Sequence, residues 1–165
     1  MTDTPGGFYM EPMEPSTVWG HNILVAEITL ESMLHNLIGR CRKAQLSARG
    51  VQQQYINPSW IDEFCTVKLM GPRQTGHSSA VLNIAKQYDA IIVAQTQMMA
   101  KVAFKGYKKA FGRGQLGSRS HATRAIPADV IIMDGFDKNP LTTEERDELE
   151  VRIDKTETFV MVYVG

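Results

Sequence analysis

The sequence predicts a single α/β domain in which a mainly parallel β-sheet lies between two layers of helices. Three observations favour this class: short apolar runs alternate with segments of helical periodicity, a glycine-framed loop follows the first apolar run, and an aspartate ends the third. Strands joined through helices favour parallel pairing with right-handed crossovers. We therefore expect a three-layer α/β/α domain with an N-terminal amphipathic helix and with ligands at the carboxyl ends of the strands.

The N-terminal part of the chain divides into an arm and a helix. Residues 1–21 contain several prolines and glycines without periodicity, which predicts a flexible arm ahead of a single domain spanning 22–165. From about Asn22 to Ala48, apolar residues recur at intervals of three and four, as on one face of an amphipathic helix. The residues on that face are Leu30, Met33, Leu34, Leu37, Ile38 and Cys41.

The middle of the chain alternates between strands and helices. Residues 50–64 are expected to break the first helix and lead into a first strand at 65–70. A helix over 78–88 follows, and the apolar run 90–94 suits a second strand that is covered on both faces. Residues 96–111 predict another covering helix. Its sheet-facing side is expected to contain Met99, Val102, Ala103, Gly106, Tyr107 and Ala110.

The last third of the chain completes the predicted sheet. Residues 112–127 form a loop rich in glycine, serine and arginine, and 130–133 predict a third strand that ends at Asp134. A helix begins near Leu141, with Glu144 and Glu145 in its first turn, where acids favour the helix dipole. A β-branched run at 158–164 predicts the final strand.

The size and charge of the chain limit its function classes. Its 165 residues, 43% of them hydrophobic, suffice for one compact core. Lys+Arg and Asp+Glu both number 18, so net charge alone indicates neither nucleic acid nor membrane as a partner. Cys41 and Cys65 lack metal-ligand spacing, which predicts buried thiols in a reducing compartment. The start is acidic and proline-rich, and no run has the length of a membrane span, so we expect a cytoplasmic protein without a membrane partner.

The glycine-framed loop is typical of phosphate binding. In the sequence VKLMGPRQTGHSS at 67–79, Gly71 and Gly76 occupy the glycine positions of G-x-x-x-x-G-K-[ST], and Ser78 occupies the hydroxyl position. Glycines let backbone N–H groups surround phosphate oxygens, and the helix that follows presents its positive end to the same anion. The predicted nucleotide-binding residues are Gly71, Arg73, Gln74, Thr75, Gly76, His77, Ser78 and Ser79.

His77 occupies the position that lysine has in this loop. Histidine is shorter than lysine and mostly neutral near pH 7, so it does not supply a permanent charge between the terminal phosphates. Three interpretations are open: a neutral hydrogen-bonding group for phosphate, a protonated ligand, or a residue that fills a site no longer used for nucleotide. Arg73, earlier in the loop, is a candidate to replace the missing charge, the alternative being an exposed loop arginine.

A second ligand-binding segment lies at the end of the third strand. The sequence VIIMD at 130–134 has the form of a Walker B element, in which the carboxylate of Asp134 holds Mg²⁺ directly or through water. Parallel strands place their carboxyl ends at one edge of the sheet, so Asp134 and the 71–78 loop are expected to converge there. Ser78 and Asp134 are therefore the candidate metal ligands.

These two segments carry a family resemblance. The loop GPRQTGHSS at 71–79 resembles the Arg-Gln-x-Gly-Lys-Ser variant of phage terminase large subunits and related helicase-like ATPases of the P-loop NTPase superfamily. The strand 91–94, followed by Thr96 and Gln97, resembles the strand and polar turn after the loop helix in that group. The resemblance covers about residues 65–137. It implies ATP and Mg²⁺ as ligands, a phage or mobile-element origin, and metal-binding roles for Ser78 and Asp134.

The chain departs from that group at two positions that matter for hydrolysis. Family members follow the Walker B aspartate with a catalytic glutamate, whereas here Gly135, Phe136 and Asp137 follow Asp134. With His77 in place of lysine, we expect nucleotide binding with weak or lost ATPase activity, and no catalytic residue is assigned. The alternative is a catalytically inactive P-loop fold that serves as a protein-interaction or inhibitor module. A small kinase is a third, weaker option.

The charge distribution suggests one further partner. The segment from 101 to 124 holds seven cations and no acid, which gives a local basic surface despite the balanced net charge. Such a surface can follow a phosphate backbone, although a charged helix face is usually just solvated. The partners considered are thus nucleotide, together with nucleic acid or another protein. The nucleic-acid candidates are Lys101, Lys105, Lys108, Lys109, Arg113, Arg119 and Arg124.

Overall fold

The computed structural model describes residues 15–70, 77–115, 128–136, 141–153 and 158–165. Most of the predicted arm, the glycine loop at 71–76 and residues 116–127 of the basic segment lie outside these ranges. The helices are α1 (Pro15–Ala48), α2 (Asn57–Phe64), α3 (His77–Tyr88), α4 (Gln97–Ala103) and α5 (Thr143–Ile153), with a 3₁₀ turn at Arg49–Gln54 after α1. The strands are β1 (Thr66–Leu69), β2 (Ile91–Ala94), β3 (Ala110–Gly112), β4 (Val130–Asp134) and β5 (Val160–Val164).

The five strands form one sheet in which every pair is parallel. Their order is β1-β5-β4-β2-β3, so β5 lies between the first strand and β4. The α/β class and the parallel sheet with helices on both faces are confirmed. One consequence is that all the strand carboxyl ends, including those of β1 and β4, share one edge of the sheet.

Strands β2, β4 and β5 are apolar because each contributes to a core on both faces. In β4, Val130 and Ile132 belong to a core with α1, α3 and α4, whereas Ile131 and Met133 belong to a second core with α2. Successive side chains of a strand point to opposite faces, so a strand buried on both sides reads as a continuous apolar run. We call the side with α1, α3 and α4 the first face, and the side with α2 the second face.

Several element predictions were wrong in extent. Helix α1 begins at Pro15, so residues 15–21 of the predicted arm are helical. Helix α2 differs from the prediction, in which Asn57 and Pro58 belong to a segment that interrupts the helical structure before the first strand. Proline is favoured in the first turn of a helix, where its missing N–H costs nothing, and Pro58 lies in that first turn. Among the helices that the structure describes, none combines the length and apolarity needed to cross a membrane.

The predicted helix over 96–111 is also wrong in its length and in its buried face. Helix α4 ends at Ala103, Gly106 has a φ of +83°, and residues 110–112 form the edge strand β3. A positive φ is readily adopted only by glycine, so Gly106 turns the chain out of the helix. The helix buries Ala100 and, just beyond its end, Phe104, whereas Val102 is 76% exposed.

Candidate functional site

The start of α3 lies at the carboxyl edge of the sheet, where the sequence predicted a ligand site. His77 is the first residue of α3 and is buried; Ser78 is half-buried and Ser79 is exposed. The predicted contacts of Gly71, Arg73, Gln74, Thr75 and Gly76 lie outside the described residues. Among the loop positions, the structure therefore describes only the last three.

The main feature of this edge is a hydrogen bond between His77 and Asp134. The two atoms, Nε2 of His77 and Oδ1 of Asp134, are 3.0 Å apart, and the residues are 7% and 1% exposed. Asp134 follows Ile132 by two positions, so its side chain lies on the first face, where α3 packs. The contact links the start of α3 to β4 across the intervening strand β5.

The chemistry of this bond restricts what His77 can offer a ligand. An ionised carboxylate only accepts hydrogen bonds, so Nε2 of the imidazole carries the hydrogen and donates it to Asp134. In a neutral ring, Nδ1 is then an acceptor and cannot donate to a phosphate oxygen. While the bond to Asp134 is in place, only a protonated His77 has a donor left for phosphate. A neutral His77 that keeps this bond can therefore only accept a hydrogen bond at Nδ1, and the three interpretations of His77 stay open.

The same bond affects the predicted metal ligands. Asp134 makes further interactions besides the one with His77, and Ser78 adds one hydroxyl at the start of α3. No group of three or more His, Cys, Asp or Glu residues suited to a metal is found in the described ranges. Mg²⁺ can be held by one carboxylate with waters and phosphates, but here the carboxylate already accepts a hydrogen bond from the imidazole. In this arrangement, Oδ1 of Asp134 is engaged, so the donors left for Mg²⁺ are the remaining acceptor sites of Asp134 and the Ser78 hydroxyl.

Neighbouring loops hold Asp134 in place at the edge. Gly135 has a φ of +80°, and its N–H donates to the carbonyl of Val164 at 2.7 Å. The side-chain amide of Gln95 donates to the carbonyl of Gly135 at 2.8 Å. These bonds join the ends of β2, β4 and β5. Sequence reasoning did not single out Gln95, although its position as the first polar residue after β2 was a usable signal.

The end of β3 is tied to the same edge by glutamine side chains. The N–H of Gly112 is 2.9 Å from Oε1 of Gln97 and 3.0 Å from Oε1 of Gln115. A Cβ atom at Gly112 would lie 2.5 Å from the backbone nitrogen of Gln97. Only glycine permits this close approach between β3 and the start of α4.

Within the described part of the predicted basic patch, two cations have ion-pair partners inside the domain and three lysines are exposed. Arg113 makes a two-bond ion pair with the buried Glu145, at 2.7 and 3.1 Å, and lies 5.0 Å from the ring centroid of Phe136. Lys109 pairs with Asp89 at 2.7 Å. Three lysines are exposed, and Arg119 and Arg124 lie outside the described residues. The exposed lysines are Lys101, Lys105 and Lys108.

The Glu145 side chain also stabilises the start of α5. The Thr142 N–H donates to its carboxylate at 2.7 Å, and the Glu145 N–H donates to the Thr142 hydroxyl at 3.3 Å. This reciprocal pair is a capping box, which satisfies backbone donors at a helix start. Arg113 is therefore bound to a carboxylate that the fold itself holds in place, and its position is set by packing inside the domain.

Comparison of the chain with protein-family models, with curated proteins and with solved structures finds no match.

Proposed function

We propose that this chain is a nucleotide-binding protein with a degenerate P-loop, whose hydrolytic activity is weak or lost. The observation that carries the proposal is the hydrogen bond between His77, next to Ser78 at the start of α3, and Asp134 at the carboxyl end of β4. Two segments that the sequence identified separately, the phosphate-type loop and the Walker B-type strand end, thus come within hydrogen-bonding distance. The resemblance to terminase-like ATPases adds ATP as the nucleotide and a phage or mobile-element setting.

Phosphate binding on this proposal rests on groups that survive the loss of lysine. The backbone N–H groups of a glycine-framed loop and the positive end of α3 attract an anion without any side-chain charge. Arg73 supplies a cation within the loop sequence. His77 contributes only when it is protonated or when it leaves Asp134.

Hydrolysis is weak or absent because two contributions are missing. Gly135 and Phe136 follow Asp134, so no carboxylate stands next to it to orient an attacking water. His77 supplies no permanent charge in place of the lysine, and its hydrogen bond engages Oδ1 of Asp134, which leaves fewer acceptor sites on that carboxylate for Mg²⁺. We therefore expect Mg²⁺ to raise ATP affinity less than it does in a P-loop whose aspartate has no such hydrogen bond.

Calorimetric titration with ATP, ADP and GTP, each with and without Mg²⁺, tests this proposal. The His77→Lys variant should bind ATP more tightly by about 1–3 kcal/mol, the range of a charge-assisted hydrogen bond, while hydrolysis improves far less. Lys86→Ala, at an exposed position in the last turn of α3, is the control and should leave affinity unchanged. No heat with any nucleotide, in either the natural protein or His77→Lys, would rule out nucleotide binding.

The role of Arg73 is tested in the same titrations. If Arg73 replaces the missing lysine, Arg73→Ala weakens ATP binding more in the natural protein than in the His77→Lys variant. Equal losses in the two proteins would show that Arg73 does not compensate.

Nucleic acid is the proposed second partner. The supporting observation is the exposure of Lys101, Lys105 and Lys108, whose ammonium groups can neutralise phosphates. Binding to a single-stranded or duplex oligonucleotide should weaken with salt and should fall when these three lysines are changed together to glutamine. Arg113→Gln is not a useful probe of the patch, because that change also breaks the pair with Glu145.

The alternative function is a catalytically inactive P-loop fold that acts as an interaction module. The specific observation in its favour is that His77 and Asp134, the two polar groups best placed to handle phosphate and metal, are bonded to each other and buried. If these two groups remain bonded to each other, they do not bind a nucleotide, and the domain would act through its surface instead. Silent nucleotide titrations together with retained binding of a protein segment would support this alternative.

A further inference from the structure

Strand β1 leaves one side of the sheet open. It is the first strand in the order β1-β5-β4-β2-β3, and within the ranges that the structure describes no strand pairs with its other side. The N–H of Met161 donates to the carbonyl of Cys65, and that of Gly165 donates to the carbonyl of Leu69. Because a parallel ladder uses alternate residues, the main-chain groups of Thr66 and Lys68 point away from β5.

Two cavities flank this open side, and both are lined in part by Thr66 and Lys68. One, of about 450 Å³, lies on the second face and includes Arg146 and Tyr163 in its lining. The other, of about 440 Å³, lies between α1 and α2 and includes Leu37. A segment that pairs with β1 would send alternate side chains to opposite faces, and therefore toward the two cavities in turn.

The cavity on the second face is rich in hydrogen-bond donors. The ammonium group of Lys68 lies 5.8 Å from the ring centroid of Tyr163, and Arg146 uses one of its five N–H donors on Asp62 at 2.7 Å. Burial raises the pKa of Tyr163 to about 12, so its hydroxyl keeps its proton. The cavity thus holds two cations, Lys68 and Arg146, and the Tyr163 hydroxyl, against a single carboxylate, Asp62, which is already paired with Arg146. This cavity is suited to an acidic side chain.

The cavity between α1 and α2 has a different character. Leu37, Ala44 and Phe64 supply apolar walls, and the thiol of Cys41 donates to the carbonyl of Phe64 at 3.0 Å. Arg40 and Glu63 bring one charge of each sign. This cavity is suited to an apolar side chain.

We propose that the open side of β1 binds an extended segment of another protein, in which acidic and apolar residues alternate, as an added strand. In this mode of recognition, main-chain hydrogen bonds to the strand provide affinity and pockets for alternate side chains provide specificity. Thr66 and Lys68 supply the main-chain groups, Lys68 with Arg146 selects the acidic residues, and the α1–α2 cavity takes the apolar ones. Neither His77 nor Asp134 lines either cavity, and the proposal does not depend on nucleotide binding.

A second copy of this chain is a poorer occupant of the same surface. Antiparallel pairing of two β1 strands would bring Lys68 close to Lys68 of the other copy, and like charges at opposing positions destabilise a strand pair. A lysine on an edge strand is a common device against self-pairing. The same charge attracts an acidic partner.

Two short blocked peptides test the proposal, one alternating Glu with Val and the other alternating Lys with Val, each labelled for fluorescence anisotropy. We expect the Glu/Val peptide to bind about tenfold more tightly or better, because the Lys/Val peptide meets like charge at Lys68 and Arg146. A Glu/Val peptide methylated on the amides that face β1 should lose binding. Hydrogen exchange by NMR should show slowed exchange at Thr66 and Lys68 in the complex.

Charge reversal provides the decisive control. The Lys68→Glu variant should lose the Glu/Val peptide and gain the Lys/Val peptide, whereas Lys105→Glu, on the exposed segment after α4, should change neither. Saturating ATP should leave both affinities unaltered, which separates this surface from the nucleotide site. Absence of peptide binding, equal binding of the two peptides, or an unchanged preference in Lys68→Glu would overturn the proposal. Dimerisation with protected Thr66 and Lys68 amides would assign the surface to a second copy instead.

Discussion

The bond between His77 and Asp134 should make the two residues strongly coupled in stability. The relevant changes are His77→Ala, Asp134→Ala and the double variant. His77→Ala removes the imidazole and leaves a carboxylate that is 1% exposed without its donor at 3.0 Å. Removing one partner of a buried pair typically costs 3–5 kcal/mol. We expect about 3 kcal/mol here, because Asp134 makes other interactions that remain.

The double variant should be less destabilised than the two single variants predict together. Asp134→Ala alone leaves a neutral imidazole without its acceptor, at a cost of about 1–3 kcal/mol. In the double variant neither group is left unpaired, so the sum of the single effects exceeds the combined effect by the pair's coupling energy. That energy should be about 1.5–3 kcal/mol, the range for a hydrogen bond to a charged group. Any change in helix propensity at the first residue of α3 cancels in the cycle.

Urea unfolding followed by circular dichroism measures all four proteins. A second cycle, in which Ser79→Ala replaces His77→Ala, is the control, because Ser79 is exposed in the same turn of α3. Its two changes should be additive within about 0.5 kcal/mol. A coupling below about 0.5 kcal/mol in the His77 cycle would refute the reasoning and would mean that the bond contributes nothing to the folded state.

Three other predictions follow from the packing. Gly112→Ala should lower the free energy of unfolding, measured by urea titration, by about 1–3 kcal/mol, because its Cβ would lie 2.5 Å from the backbone nitrogen of Gln97. Gly114→Ala is the control: nothing lies within 4 Å of its Cβ, so its free energy of unfolding should be close to that of the natural protein. Arg113→Ala should destabilise by about 2–3 kcal/mol, because it leaves the 5%-exposed carboxylate of Glu145 without its cation, whereas Lys105→Ala should have no measurable effect. Burial raises the pKa of Tyr107 from 10 to about 12, so the folded state holds this proton more tightly than the unfolded state, and stability should fall as pH rises from 10 to 12. Tyr107→Phe should lower stability by about 1 kcal/mol at neutral pH, since the hydroxyl donates to the carbonyl of Ala90 at 2.6 Å, and should also reduce the alkaline loss, which thermal unfolding across this pH range would measure.

The sequence was sufficient for four of the five strands, including the edge strand β1, and insufficient for the other edge strand, β3. Strands β2 and β4 are buried on both faces, so their apolar runs are continuous and easily recognised. Strand β3 has only three residues, and those residues also fit the helical spacing of the segment before it. The signal that would have separated them is Gly106, whose positive φ ends the helical path. Helix α2 was missed because Pro58 was interpreted as a break, although proline is equally at home in a first helical turn.

The sequence predicted at which edge of the sheet the candidate site lies, but it did not predict the hydrogen bond between His77 and Asp134. The rule that ligands gather at strand carboxyl ends was enough to predict that the start of α3 and Asp134 lie at one edge. The hydrogen bond between His77 and Asp134 depends on the strand order, which the sequence does not state. With β5 between β1 and β4, the two strands are about 9–10 Å apart at the usual spacing of neighbouring strands. Helix α3 packs against β4, and the His77 side chain at its start spans the remaining distance to Asp134.

That geometry explains what the histidine changes. A lysine at position 77 would reach Asp134 as well, but its flexible stem and three donors would let it move to a phosphate when nucleotide arrives. An imidazole has a fixed ring and a single donor toward Asp134, so leaving the carboxylate means leaving a buried acceptor unpaired. On the proposed function, histidine at position 77 therefore favours the internal bond to Asp134 over a bond to phosphate more than lysine would.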